Sequence, residues 1–330
     1  MDRPAIVIVT YMRQQMLTEL LESILGLTVA PWRIVVVDNE NSPDTARIVK
    51  TFGERADALW GPAIDEPDAE GGVSHAVYDP METNTGGAGG FSEGVRRAYE
   101  LGAEWFWLMD DDVLVLPDGL AILERWSTRA DAIQGQRYDF DGGPFYWQYR
   151  FFTSMGIYNP FSRSGWRKGE EYKLCNAICF EGGCFSRRAV KKVGLPDGRL
   201  FIYLDDALYG YRLSKVTDIL LVPDYVLKRN REIPNQEIGK VRQLNSASDT
   251  TRFYMTRNRG YLARYYQLYD DYHPIAFGFG TFLTFVKEIL RILMVDRGCF
   301  KSGTKQLFAG WREQRHIQKD PDWEPMPSLE

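Results

Sequence analysis

Two short runs, Ala5–Val9 and Trp32–Asp38, are each centred on four consecutive Val or Ile residues, and the segment between them, residues 14–27, carries its apolar residues at helical spacing. A strand that is apolar at every position must be covered on both faces. A strand, helix, strand, helix order achieves that covering in a parallel sheet with helices on either side. The pattern returns at residues 91–103, which read as a helix, and at 104–109, which read as a strand. The expected fold is therefore α/β, with a mostly parallel central sheet and helices on both faces. Ligands of such sheets bind beyond the strand C-termini, where Thr10, Asp38 and the run Asp110-Asp111-Asp112 would emerge.

That run is the feature least explained by folding. Trp107 to Leu116 is apolar except for three consecutive carboxylates, and their charge calls for a partner such as a divalent cation carrying phosphates. The chain as a whole has a formal net charge of -5, which gives no case for nucleic acid binding. Phosphate chemistry must then be local. Asn84-Thr-Gly-Gly-Ala-Gly-Gly90 supplies one candidate, because glycines permit close backbone approach and amides at a helix N-terminus hold anions. It matches neither GxGxxG nor the P-loop, and a packing turn without a ligand is the alternative.

A second acidic pair repeats the logic. Phe201 to Leu204 is expected to be an apolar segment ending in Asp205-Asp206, with a helix following. Adjacent carboxylates raise one pKa and suit one member to accept a proton while its neighbour orients a hydroxyl; capping of the helix is the plainer role. Arg257, Asn258 and Arg259 stand together near the start of a helical, aromatic-rich segment and could grip phosphate or pair with surface carboxylates. Lys228, Arg229 and Arg231 form another basic set. Together these describe group transfer from a diphosphate-activated donor, with hydrolysis by paired carboxylates as a second chemistry.

The remaining segments add context. Residues 57–80 form a polar connection around Gly71-Gly72, with room for an edge strand, and residues 134–173 are aromatic-rich loops and irregular strands suited to a polyhydroxy or lipid-linked substrate. Cys175, Cys179, Cys184 and Cys299 are expected as free thiols in a reducing compartment. Asp2 and the immediate onset of a strand argue against a cleaved secretory signal, so the cytoplasm is the expected location. Residues 274–295 are apolar apart from Lys287, Glu288 and Arg291, which cluster on one side of a helical wheel. The broad apolar surface left over either packs on the core or lies in a bilayer interface, helped by basic residues beyond it. The tail, 317–330, is Pro-rich and acidic, and is expected to be disordered.

The segments VIVTYMR, VVVDN, NTGGAGGFSEG, WFWLMDDDV, LFIYLDDALYGYRL and FYMTRNRGY, spanning Ala5 to Tyr261, resemble the inverting GT-A glycosyltransferases of family 2, most of all the bacterial galactofuranosyltransferases. The resemblance implies a GT-A catalytic domain over 1–261, with a donor half to about residue 133 and an acceptor half beyond it, followed by a helical region at 262–316. It implies that a UDP-sugar donor is held by Thr10, Asp38, Asn84, Gly86, Gly87, Gly89 and Gly90. It assigns Asp110 and Asp112 to Mn2+ or Mg2+ and the diphosphate, and Asp111 to the donor sugar or ribose. Asp206 becomes the general base and Asp205 the group that positions the acceptor. Arg257 and Asn258 remain donor-phosphate candidates. Where the related enzymes carry a metal-binding histidine this chain has Lys228, which can hold diphosphate by charge. The implied activity is transfer of galactofuranose to a lipid-linked cell-envelope or capsular glycan at the inner face of the plasma membrane. Rhamnose transfer from dTDP-rhamnose and a non-catalytic glycan-binding role are the alternatives.

Overall fold

In the computed structural model all residues are described except 64–72, 146, 163–164, 233–235, 239–241 and 245. Strands β1 (Pro4–Thr10), β2 (Arg33–Asp38), β3 (Ala76–Pro80) and β4 (Trp105–Asp110) run parallel in the order β3-β2-β1-β4, connected by helices α1 (Gln14–Leu25), α2 (Pro43–Trp60) and α3 (Gly86–Leu101). Side chains alternate between two cores. Ile6, Ile8, Ile34 and Val36 face one core with Leu17, Leu20 and Val49, while Val7, Val9, Val35 and Val37 face the other with Phe91 and Val95. Because each face buries Val or Ile, the central positions of β1 and β2 are apolar on both sides. The edge strand β3 closes the polar connection, whose Gly71-Gly72 lies outside the described residues.

Beyond β4 the chain adds β5 (Val113–Val115), α4 (Gly119–Ser127), β6 (Ala132–Tyr138), a small pair β7 (Phe151–Phe152) and β8 (Ile157–Tyr158), β9 (Lys173–Cys175), β10 (Gly183–Ser186), α5 (Arg187–Val193), α6 (Asp205–Leu213) and β11 (Ile219–Arg229). The sheet continues from β4 through antiparallel β10 to β6 and on to β11, which is parallel to β6. β11 is flanked on its outer side by β9 along its first half and β5 along its last, both antiparallel. Register fixes the functional end: Thr10 lies opposite Asp38, and Val9 opposite Asp110.

A further pair, β12 (Gln236–Ile238) with β13 (Arg242–Leu244), precedes α7 (Asp249–Arg257), α8 (Arg259–Leu268), α9 (Pro274–Met294) and α10 (Phe300–Lys319). At this end one of two alternatives for α9 falls away and one expectation about the tail changes. The apolar surface of α9 is not packed on the core: the buried residues include Thr281, Glu288 and Arg291, while Phe282, Leu283, Val286, Leu290 and Leu293 are exposed. The tail expected to be disordered instead lies along the body. Trp323 meets the Tyr265 ring edge-on at 5.1 Å under Arg199 and Arg264, and the Leu329 amide donates to the Lys191 carbonyl at 2.8 Å. One aromatic anchor and backbone hydrogen bonds outweigh the polar composition.

Candidate active site

The strand that carries Asp110 ends there, and the chain turns at once into β5, so the acidic run forms a corner at the C-terminal end of the sheet. Thr10 Oγ1 donates to Asp111 Oδ2 at 2.7 Å. Arg13 Nη1 donates to Asp111 Oδ1 at 2.9 Å and to Asp112 Oδ2 at 3.3 Å, and Arg231 Nη1 stands 4.0 Å from Asp112 Oδ2. The chain thus provides part of its own counter-charge. Asp111 is 2 % exposed, and burial raises its carboxyl even though Arg13 and Thr10 oppose the rise. The Arg13 guanidinium is raised as well: burial pulls it down, and the aspartates more than reverse that.

Asp110 differs from its neighbours. It has no side-chain hydrogen bond among the described residues and keeps a partly solvent-open side. Its carboxyl is pushed well above the ordinary range by burial first, then by the charges of Asp112, Asp111 and Asp205, with Arg13 opposing. Asp110 and Asp112 offer oxygen ligands two residues apart, the donor type that Mg2+ and Mn2+ take. No group of three His, Cys, Asp or Glu suited to a metal occurs among the described residues. The pair therefore fits such an ion only with further ligands from a bound phosphate or water. His75 is held elsewhere, between the carbonyls of Pro31 at 3.0 Å and Gly61 at 2.9 Å.

The second acidic pair is not preceded by a strand. A 3-10 turn at Gly198–Leu200 leads into Phe201, Tyr203 and Leu204, whose φ values are 63°, 68° and 64°. Left-handed backbone at a residue with a side chain costs on the order of 1–2 kcal/mol, so three of them require strong external support. Asn258 supplies it: its amide nitrogen lies 3.0, 2.8 and 2.7 Å from the carbonyl oxygens of Leu200, Ile202 and Tyr203. From the other side, the Ala88 amide donates to the Phe201 carbonyl at 3.0 Å. Gly86, at φ +72°, fits against that same carbonyl, which a Cβ would approach to 2.1 Å.

Asp205 and Asp206 emerge from this loop as the first residues of α6, where the helix N-terminus favours negative charge. Burial still pushes both carboxyls up, and the charge of Asp205 raises Asp206 further; backbone amides at the helix start, the Ala207 amide donating to Asp206 Oδ1 at 2.6 Å among them, temper the rise. The two clusters lie within reach of each other's charge. Asp205 acts on Asp110, Asp206 and Asp205 act on the Tyr158 hydroxyl, and Asp206 and Asp110 act together on the Cys179 thiol, which burial holds up at about 12.

The other anticipated residues fall in several places. Asp38 is fully buried and holds its own loop, accepting from the amides of Glu40 at 2.9 Å and Ser42 at 2.8 Å and from the Tyr78 hydroxyl at 2.9 Å. The Gly-rich segment belongs to α3 rather than to a loop before it. Gly90 seats that helix on the sheet, since a Cβ there would come within 2.6 Å of Val9 Cγ1, and Gly89 adjoins the Thr85 side chain. Gly87 faces open space, and Asn84 accepts from the Gly86 amide at 2.8 Å. Lys228 pairs with Leu114 across β11 and β5, close to the acidic corner. Asn258, expected toward donor phosphate, is fully buried in the loop contacts above, and Arg257 packs over Tyr254 and bonds Asn258 Oδ1 at 3.0 Å. Arg259 is an internal staple, donating to the carbonyls of Gly156 at 2.6 Å and Met155 at 2.9 Å.

Three further residues border the acidic corner and the start of α3. Arg13 is a lone cation three residues past the end of β1, and that spacing is the signal the sequence offers for it. Asn39 bridges β2 to α3 by accepting from the Thr85 amide and donating to the Gly86 carbonyl, both at 3.1 Å. Arg137 is ion-paired with Glu181 and lies with its guanidinium 4.0 Å from the Phe145 ring centre, within the fields of Asp110 and Asp112.

Comparison with known proteins agrees with this architecture. Residues 5–194 match the family described as glycosyl transferase family 2. The galactofuranosyltransferase GlfT1 of Mycolicibacterium smegmatis is 28% identical over 273 residues, covering 78% of this chain and 81% of that protein. The crystal structure of S. aureus TarS 1-349 superposes with a TM-score of 0.54 at 12% identity, covering 96% of this chain and 81% of the other. A mannosyltransferase, PcManGT from Pyrobaculum calidifontis, in complex with GDP-Man and Mn2+, gives 0.51 at 14% identity, covering 93% and 74%. The sheet flanked by helices, with a helical C-terminal region, is thus a GT-A-like fold.

Proposed function

The chain belongs to glycosyl transferase family 2, and from that premise we propose that it transfers galactofuranose from UDP-galactofuranose to a hydroxyl of a lipid-linked cell-envelope or capsular glycan, with inversion, at the cytoplasmic face of the membrane. The observation that carries the proposal is that Asp110, at the end of β4, and Asp205-Asp206, at the start of α6, act on each other and, through Asp110 and Asp206, on the same Cys179 thiol. The relative named a galactofuranosyltransferase supports the sugar.

Asp206 takes the proton of the acceptor hydroxyl as its oxygen bonds to the anomeric carbon, and the bond from that carbon to the diphosphate breaks on the far side. UDP departs with the bonding electrons. A general base contributes about 10²–10⁴ in rate when its pKa lies near the working pH, and the raised Asp206 carboxyl moves toward that condition. Asp205 orients the hydroxyl. Arg13, Arg231 and Lys228 give the acidic corner a positive rim toward which diphosphate would be drawn. A divalent cation, when bound, would be held by Asp110 and Asp112 and would offset charge on the leaving group. Asn258 is a positioning residue, acting on the proton acceptor through the loop it holds.

The test is a donor panel with Mn2+ and extracted lipid-linked acceptors, read by mass spectrometry with the new linkage assigned by NMR. UDP-galactofuranose should give addition of one hexose in β linkage, while UDP-galactopyranose and dTDP-rhamnose give none. Turnover with dTDP-rhamnose alone overturns the sugar and keeps the reaction class. Binding of glycan without transfer from any donor overturns the reaction.

A further inference from the structure

Helix α9 is amphipathic with its polarity reversed. Its buried side is formed by Phe277, Gly280, Thr281, Glu288, Arg291 and Ile292. Glu288 is fully buried and accepts from Arg291 at 2.6 and 2.8 Å, and Thr281 accepts from the buried Arg259 at 3.0 Å. On the opposite side, at helical spacing, Ile275, Phe279, Phe282, Val286, Leu290 and Leu293 are exposed, Ile275 by 91 % and Phe282 by 58 %. Water alone would select the reverse arrangement, because burying a charged pair costs more than burying leucines.

Helix α10 extends the surface. Phe285 and Phe308 meet at 5.8 Å, which joins the two helices, and Phe300, Phe308 and Trp311 continue the exposed apolar band. Next to that band around the α10 axis runs a basic one, formed by Lys301, Lys305, Arg312, Arg315 and Lys319, all exposed. Residues 274–319 hold eight basic side chains against three acidic in a chain whose net charge is -5. Of the three acids, Glu288 is paired with Arg291 and Asp296 with Arg252, which leaves the outward charge strongly positive.

We propose that the outer face of α9 and α10 is a docking surface that lies in the interface of an anionic lipid bilayer. Rings and leucines enter the acyl boundary while the basic band meets the headgroups. No helix among the described residues is long and apolar enough to cross a membrane, so the geometry points to a helix pair lying on the bilayer. A second copy of the chain is the poorer occupant, because a twofold contact would bring the same basic band against itself. The inference is independent of the sugar transferred.

Its test uses the full chain with vesicles and no substrate. Wild-type protein should co-sediment with phosphatidylcholine–phosphatidylglycerol vesicles and bind phosphatidylcholine alone far more weakly, with binding falling as salt rises. The triple variant Phe279→Ser, Phe282→Ser, Leu290→Ser should lose at least about tenfold in partitioning, and its melting temperature should stay near that of wild type because all three side chains are exposed. Each change of Lys301→Gln, Lys305→Gln or Arg312→Gln should cost about fivefold, the equivalent of ~1 kcal/mol per surface charge. Wild type that stays in the supernatant with anionic vesicles overturns the proposal, as does a triple variant that binds like wild type. A dimer in sedimentation equilibrium that the triple variant dissociates, with no vesicle binding, overturns it in favour of a second copy.

Discussion

Asp110 stands at the end of a strand whose register with β1, and through β1 with β2, fixes its position. Asp205-Asp206 stands on a loop with three left-handed non-glycine residues, held by a side chain more than fifty positions later. One cluster inherits its place from regular hydrogen bonding, and the other has its place enforced by the buried Asn258 amide on one side and the start of α3 on the other. The first should tolerate nearby substitution and respond mainly to changes in its own charges. The second should be sensitive at a distance, through Asn258 and Gly86.

The largest effect should come from Asp206→Asn, which keeps shape and hydrogen bonding but cannot accept the proton. Turnover should fall by about 10²–10⁴, measured by single-turnover product formation. A fall below about threefold on that scale would remove Asp206 as the base. Asn258→Ala should come next. It leaves three carbonyls without their donor and releases the strained loop, so kcat should drop by up to ~10², as expected for an ångström-scale misplacement, with KM for the donor little changed. Asn258→Asp should be no better, because a carboxylate has nothing to donate. An equal rise in donor KM would instead mean that Asn258 acts on the donor itself.

The glycines separate packing from ligand contact. Gly86→Ala meets both a left-handed backbone and the Phe201 carbonyl, and Gly90→Ala meets Val9; each should destabilise by about 1–3 kcal/mol in denaturant titration. Gly87→Ala meets nothing within 4 Å and should leave stability unchanged, so any loss of donor affinity there would identify Gly87 as the glycine that a donor approaches.

The smallest effect concerns pH. Folding raises the Asp205 and Asp206 carboxyls, so their contribution to stability is fully present below the ordinary carboxylate range and is lost as pH climbs through the raised values. The melting temperature of Asp206→Asn should therefore exceed that of wild type by about 2 °C above neutrality, and the gap should close in mild acid. The same ionisation gives kcat an acid limb above the ordinary carboxylate range, and the limb should vanish in Asp206→Asn.

What the sequence disclosed follows the same division. The parallel strands, the end at which Thr10, Asp38 and Asp110 collect, and the helix after Asp205 were legible because periodicity and strand ends are local signals. The loop before Asp205 was not, since its apolar residues resemble a strand and its stabilising partner is remote. Nothing local marks Asn258 as a support rather than a phosphate ligand. The start of α3 inside the glycine run was hidden because glycine is a poor helix former, and only the close approach of Val9 and Phe201 explains it. The orientation of α9 could not be read either, because periodicity reveals that a helix has two faces and not which one turns inward.

The sharpest measurement is calorimetric titration of UDP, with Mn2+ present, into wild type, Asp110→Asn and Asp206→Asn. If the acidic corner holds the donor while the strained loop carries the base, Asp110→Asn should weaken UDP by at least about tenfold, or ~1.4 kcal/mol, and Asp206→Asn should bind it like wild type. Undiminished UDP binding by Asp110→Asn, or an equal loss in both variants, would contradict that division of labour.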